Sequence, residues 1–172
     1  MKKMKRIFHV IVALSILSCS DDILDKDPVS SFPAQGYYKT SADAQAGVYG
    51  IYAAAQSTFR TNFSFWGEGR ADAVDTRHSG DPQALLQNTL NRTTSSASWN
   101  NIYETISRAN YAIKYIPDVF EGGSEFGLQL EGQARALRAL SYFYAVRLWG
   151  DVPFILEPYE SIDQDLFLER TD

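Results

Sequence analysis

Cysteine is almost missing from this chain: one residue in 172, Cys19. A single thiol excludes an internal disulfide and every metal site built on paired cysteines. Histidine is nearly as scarce, with only His9 and His78. Neither a histidine metal cluster nor a Cys–His nucleophile pair can be assembled from that stock. No stretch alternates for long between apolar and polar residues, so strands are not expected. Long apolar runs are missing too. The best one, Ile7 to Leu17, is broken only by His9 and Ser15. As a helix it would reach about 16 Å, roughly half of a hydrocarbon core, too short to span a bilayer. Cations are in the minority, 16 Lys and Arg against 21 Asp and Glu, and four of them fall in the first six residues. The remainder is therefore strongly acidic, which repels phosphate backbones and makes nucleic acid an unsuitable partner.

What is present explains where the one cysteine sits. Lys2, Lys3, Lys5 and Arg6 precede the short apolar run, the order of an export signal. Ile16-Leu17-Ser18-Cys19 resembles the lipobox of bacterial lipoproteins, which implies cleavage after residue 18 and a lipidated Cys19 at the mature N-terminus. Each buried methylene contributes about 0.8 kcal/mol, and two acyl chains already hold a protein at a membrane. Ser20-Asp21-Asp22 resembles the short acidic signal that directs lipoproteins of the Bacteroidetes to the cell surface. Residues 19–39 then read as an extended tether, with Pro28, Pro33 and Gly36 opposing a helix.

Helical periodicity begins at residue 41. Thr40-Ser41-Ala42-Asp43 forms a capping arrangement, and Ala44, Val48, Ile51, Tyr52 and Ala55 share a face, which predicts a helix over 41–59. From 60 to about 96 the period is lost, apart from a short helix expected within 82–90. A second long helix is expected over 97–116, with Trp99, Ile102, Tyr103, Ile106, Ala109, Ile113 and Ile116 as its stripe and Pro117 as its stop. The third covers 128–150. Glu131, Arg135 and Arg138 mark its polar face. Leu130, Ala134, Leu137, Tyr144 and Leu148 mark its apolar face, widened by Ala136, Leu140 and Phe143. Arg147 falls within that apolar arc and calls for a carboxylate, with Asp151 the local candidate. Gly150 provides the stop. The expected fold is all-α, built from helix pairs of the tetratricopeptide sort.

Residues 134–154, ARALRALSYFYAVRLWGDVPF, resemble the SusD/RagB family of outer-membrane glycan-binding lipoproteins. YYKTSADAQAGVYGIYAA (37–54), WNNIYETISRANYAIKYI (99–116) and the lipoprotein start agree with it in order. The resemblance implies tetratricopeptide-like helices carrying a ligand surface on loops. It also implies a lipid anchor in the outer membrane, a TonB-dependent transporter of the SusC type as partner, an oligosaccharide as ligand, and no covalent chemistry or cofactor. Members of that family usually run to several hundred residues, so residues 40–172 are expected to be the N-terminal part of such a fold, truncated at its C-terminal side.

A sugar site needs an aromatic platform for the C–H face of a pyranose and polar groups to fix its hydroxyls. The stretch 62–81 holds those residue types. The candidates are Trp66 as platform with Asp72, Asp75, Arg77 and His78 around it, and Asn101 on the following helix; Phe65 and Arg70 lie in the same stretch. Trp99, which starts an apolar stripe, reads as scaffold. Asp72 and Asp75 imitate a glycosidase pair in residue type only, because hydrolysis needs carboxyl groups about 5–9 Å apart across a sugar. The chain therefore reads as a binder and not an enzyme. Three alternatives stay open: a solvated loop whose aromatics fold back on the helices, a helical scaffold that grips a protein partner, and an inactive truncated remnant of such a protein.

Overall fold

The computed structural model describes residues 34–171, apart from 72, 73, 78, 92, 95–97, 122, 162, 163, 166 and 167. The expected signal, Cys19 and most of the expected tether lie outside the described residues; in its described part Ala34–Tyr37 form one helical turn in place of the expected extended chain, Gly36 notwithstanding. Among the described residues five α-helices follow in order: α1 (Ala34–Tyr37), α2 (Ser41–Trp66), α3 (Asp81–Leu86), α4 (Asn100–Val119) and α5 (Glu125–Trp149). A 3-10 turn, η1 (Glu68–Arg70), follows α2. Among the described residues there is no strand, only one isolated bridge between Val152 and Thr171. The chain is all-α, as its periodicity predicts.

The capping box at the start of α2 is complete. Asp43 N–H donates to the Thr40 hydroxyl at 3.2 Å, and Asp43 Oδ2 accepts from the Thr40 N–H at 2.8 Å. The Thr40 hydroxyl, which also donates to Asp43 Oδ2 at 2.7 Å, and after it the Thr40 N–H hold the Asp43 carboxyl below the usual carboxylate range. The helix runs seven residues beyond the expected end. Phe59, Phe63 and Trp66 recur at helical spacing through 60–66, and their rings supply packing that the interspersed Thr, Asn and Ser do not advertise. Helix α4 likewise passes its expected stop: Pro117 sits inside the last turn, and the helix closes at Val119. A missing N–H is tolerated there because only the final turn is affected. Helix α5 ends at Gly150, whose φ of 72° and ψ of −136° suit only glycine.

Helices α2, α4 and α5 form one layered bundle. Ala44, Val48 and Ile51 from the start of α2 pack with Ala109, Ala112 and Ile116 late in α4 and with Leu130 and Ala134 early in α5. At the other end Ile102 and Ile106 meet Ala145 and Val152, flanked by Trp66, Trp99 and Trp149. The pairing runs α2 antiparallel to α4 and α4 antiparallel to α5. Gly47 is needed for this packing, since a Cβ there would lie 2.6 Å from Tyr38 Oη and 2.7 Å from its ring. Tyr52, expected on the buried stripe, is exposed and donates to Gln133 Oε1 at 3.2 Å.

Tyr38 stacks on Tyr115 with ring centroids 5.9 Å apart. Burial, then the neighbouring Tyr37, pushes its pKa up to about 12. An unfolded tyrosine ionises near 10. Between about pH 10 and pH 12 the unfolded chain therefore releases a proton that the folded chain retains, and stability falls as pH rises through that window. Below pH 10 the contribution is complete. Urea midpoints measured at pH 8 and pH 11 should show this loss. Tyr38→Phe should shrink the alkaline fall without abolishing it, because burial also raises Tyr103 and Tyr142.

After α5 the chain turns back along the bundle as an extended strap, residues 152–160. Side chains on the helices hold its main chain. Tyr103 Oη donates to Pro153 O at 2.6 Å, Asn110 Nδ2 to Ile155 O at 2.9 Å, and Tyr111 Oη to Tyr159 O. Tyr142 Oη both donates to Ile155 O and accepts from Ile155 N–H. Lys114 and Tyr115 both reach Glu160, which keeps that carboxyl ionised below its usual range. From Tyr103 to Tyr115 a helix rises ~18 Å, and from Pro153 to Glu160 an extended chain covers ~23 Å. The strap therefore follows α4 in parallel for about three turns. Arg138, expected on the exposed face with Glu131 and Arg135, bonds instead to Asn110 Oδ1 at 2.8 Å and Leu156 O at 3.1 Å. The pairing of Glu131 with Arg135 is as expected, at 2.6 Å.

Candidate functional site

The last turns of α2 and α5 meet at the same end of the bundle, where α4 begins. All three tryptophans of the chain gather there. Trp149 lies edge-on to Trp66 at 5.5 Å and tilted against Trp99 at 6.1 Å. Trp99 is scaffold, as its place at the head of a stripe suggests, and it also packs on Tyr103.

Beside this cluster is a recess of about 450 Å³, lined by Phe63, Trp66, Gly67, Arg70, Asn88, Tyr144, Arg147 and Leu148. Its size lies within the range of about 300–1,000 Å³ common for small-molecule sites. Tyr144 forms part of the floor, with Phe59 at 5.0 Å and Phe63 at 5.8 Å from its ring. Phe63 is 51% exposed. Arg70 leaves η1 and donates from Nε to Asn88 Oδ1 at 3.2 Å, which fixes the polar rim on that side. The Arg147 guanidinium, also in the lining, lies over Phe143 and Tyr144, 5.2 and 5.8 Å from their centroids. This corrects the sequence expectation: the cation takes aromatic faces as its partner, not Asp151. A second, more open hollow of about 700 Å³ shares Arg70 and Leu148 with the first and continues past Asn91, Thr93, Ser98 and Trp99 to Arg170.

Of the candidates read from the sequence, Trp66 lies in the recess. Asp75 and Arg77 are exposed on the stretch after η1 and line neither hollow. The Asp75 carboxylate accepts from Thr76 N–H at 2.8 Å. Asn101 is exposed in the first turn of α4, again away from both hollows. Asp72 and His78 fall outside the described residues. Phe63, Asn88, Tyr144 and Arg147 are recess residues that sequence reasoning missed. Phe63 and Tyr144 had a signal, a pair of aromatics near the ends of helices that meet. Asn88 had none. Among the described residues there is no group of His, Cys, Asp and Glu arranged for a metal ion, and no helix long and apolar enough to cross a membrane.

The recess offers flat apolar faces beside guanidinium and amide donors. Such a surface can hold a ring with one apolar face and a polar perimeter; it presents no activated nucleophile. Comparisons with known proteins agree with a binding role. A family model, SusD-like, described as starch-binding and associating with the outer membrane, matches residues 22–171. SusD-like protein P38 of Formosa agariphila is 34% identical over 99% of this chain and 35% of its own length. SusD-like protein P2 of the same organism is 31% identical over 90% of this chain and 31% of its own. A SusD-like protein of Bacteroides ovatus is 24% identical over 94% of this chain and 30% of its own. The chain thus spans about a third of the length of the curated relatives it matches. No solved structure matches it significantly.

Proposed function

The chain belongs to the SusD/RagB family, and from that premise we propose that it binds oligosaccharides at the bacterial surface and passes them to a TonB-dependent transporter of the SusC type. In this reading residues 1–18 are the signal, and acyl chains on Cys19 anchor the protein in the outer membrane with the bundle facing outward. Residues 40–172 form the N-terminal helical part of the binding domain. The reaction class is capture and handover, with no bond made or broken.

One observation carries the reading most directly. Phe63, Trp66 and Tyr144 line a single recess at one end of the bundle, with Arg70, Asn88 and Arg147 at its edge. A pyranose stacks its C–H face on such rings while its hydroxyls meet the polar edge. Asp75, Arg77 and Asn101, together with Asp72 and His78, remain candidates for a longer glycan that extends beyond the recess.

Phe63 gives the cleanest test. Its ring is half exposed and its loss leaves both core clusters intact. Phe63→Ala should weaken oligosaccharide binding about tenfold, roughly the contribution of one stacked ring, with thermal unfolding nearly unchanged. Unaltered affinity in isothermal titration would remove the recess from consideration. A transporter barrel retained in the absence of sugar, with no saccharide bound, would favour the scaffold alternative. Leu140, Phe143 and Val146, exposed at 41–55% on the outer face of α5, are the residues such a scaffold would use.

A further inference from the structure

The recess is cationic in an acidic chain. Acids outnumber Lys and Arg by 21 to 16, yet none of the described residues lining either hollow is acidic, and three of them are arginines. Arg170 is engaged, lying over Trp99 and donating to Trp149 O. Among the described residues Arg70 spends only Nε, on Asn88. Arg147 rests on two ring faces. Among the described residues the ion pairs are Arg108–Glu104, Lys114–Glu160 and Arg135–Glu131, all on other parts of the bundle. Neither Arg70 nor Arg147 has a carboxylate partner there.

Two guanidiniums beside these aromatic rings, with their terminal N–H groups unspent on any described residue, form a receptor for an anion that presents a pair of oxygens and is attached to an apolar ring. A guanidinium meets a carboxylate or a sulfate through two parallel N–H bonds, a geometry that a sugar hydroxyl cannot match. Stacking an arginine on a ring also orients its fork and reduces the freedom lost on binding. A place in the last turn of α5 suits any cation, because helix carbonyls end there. That accounts for a charge at 147 but not for a second guanidinium, from η1, lining the same recess.

We propose that the recess selects saccharides carrying an anionic substituent, a uronate carboxylate or a sulfate ester, held between Arg70 and Arg147 while the sugar ring lies on Tyr144 and Phe63. The inference rests on the glycan-binding reading above and adds the ligand class. Neutral sugars then bind by stacking alone.

Isothermal titration of the full chain with oligogalacturonides, sulfated galactan oligosaccharides and neutral maltooligosaccharides tests this. One anionic class should bind at least tenfold more tightly than the neutral one, less so as salt rises, and its identity tells carboxylate from sulfate. Arg70→Gln and Arg147→Gln should each remove most of that preference while the melting curve stays in place. Maltooligosaccharide binding as tight as either anion, and sensitive to Phe63→Ala, would overturn the anionic selection and leave the glycan reading standing. No saccharide of any class binding in a Phe63-dependent manner would overturn both.

Discussion

Asn110→Ala should lower the unfolding free energy by about 2–4 kcal/mol, a fall in Tm of about 10 °C for a domain of this size. The residue is 1% exposed and sits where α4, α5 and the strap meet. Its amide serves all three. Nδ2 donates to Ile155 O at 2.9 Å and to Glu157 O at 3.4 Å, and Oδ1 accepts from Arg138 Nη1 at 2.8 Å. No other orientation of the amide works, since carbonyls need the NH₂ and the guanidinium needs the oxygen. Alanine leaves a part-buried cation and strap carbonyls short of partners, and that unmet desolvation dominates the loss. Burial already pulls the Arg138 guanidinium below its usual range, so losing an acceptor adds to an existing strain on its charge. Asn110→Asp should be no better, because a carboxylate would face two carbonyl oxygens. Asn110→Ala combined with Arg138→Met should cost less than the sum of the two. Differential scanning calorimetry reads the shift, and faster proteolysis within 152–160 should accompany it. A wild-type Tm for Asn110→Ala would mean that the strap does not depend on this amide.

Trp66→Ala should produce a double loss: about 2–4 kcal/mol of stability and more than tenfold in oligosaccharide affinity. From the sequence alone Trp66 reads as a loop platform whose removal spares the helices. The structure puts it in the last turn of α2, half buried against the cluster of Ile102, Ile106, Ala145 and Val152 and edge-on to Trp149. Removing it opens a void under the recess as well as in its wall. Weakened binding by this variant alone therefore cannot separate lost contact from lost support. Comparison with Phe63→Ala separates them: similar losses of affinity with only Trp66→Ala melting early would identify Trp66 as wall and support together. Trp66→Ala with unchanged melting would show that the tryptophan cluster does not stabilise this end of the bundle.

The difference between these two readings of Trp66 shows what sequence can and cannot carry. Stripes such as Ala44–Val48–Ile51 and Ile102–Ile106–Ala109 report directly on the core, because burial selects apolar residues at helical spacing. The capping box at Thr40 is legible for a similar reason, as a local bond needs two defined side chains three residues apart. The recess is not legible in that way. Phe63 and Tyr144 are 81 positions apart and meet only because α2 and α5 run parallel. Arg147 looks misplaced among apolar residues until the ring faces of Phe143 and Tyr144 are seen beneath it. Asp75 and Arg77 have the right chemistry for a sugar but are not carried to the recess.

The strap illustrates the opposite limit, and its consequence concerns mutational tolerance. Helix side chains seize carbonyl oxygens of Pro153, Ile155, Leu156, Glu157 and Tyr159, groups that every amino acid possesses. Between Val152, which is packed in the core, and Glu160, whose carboxylate is held by Lys114 and Tyr115, the segment is read by spacing more than by spelling. Its letters are free to drift at exposed positions such as Phe154 and Leu156, whereas inserting or deleting one residue would push each later carbonyl out of reach of its donor. Tyr103, Asn110 and Tyr142 stand under the reverse rule, each bound to its identity by a partner that has none.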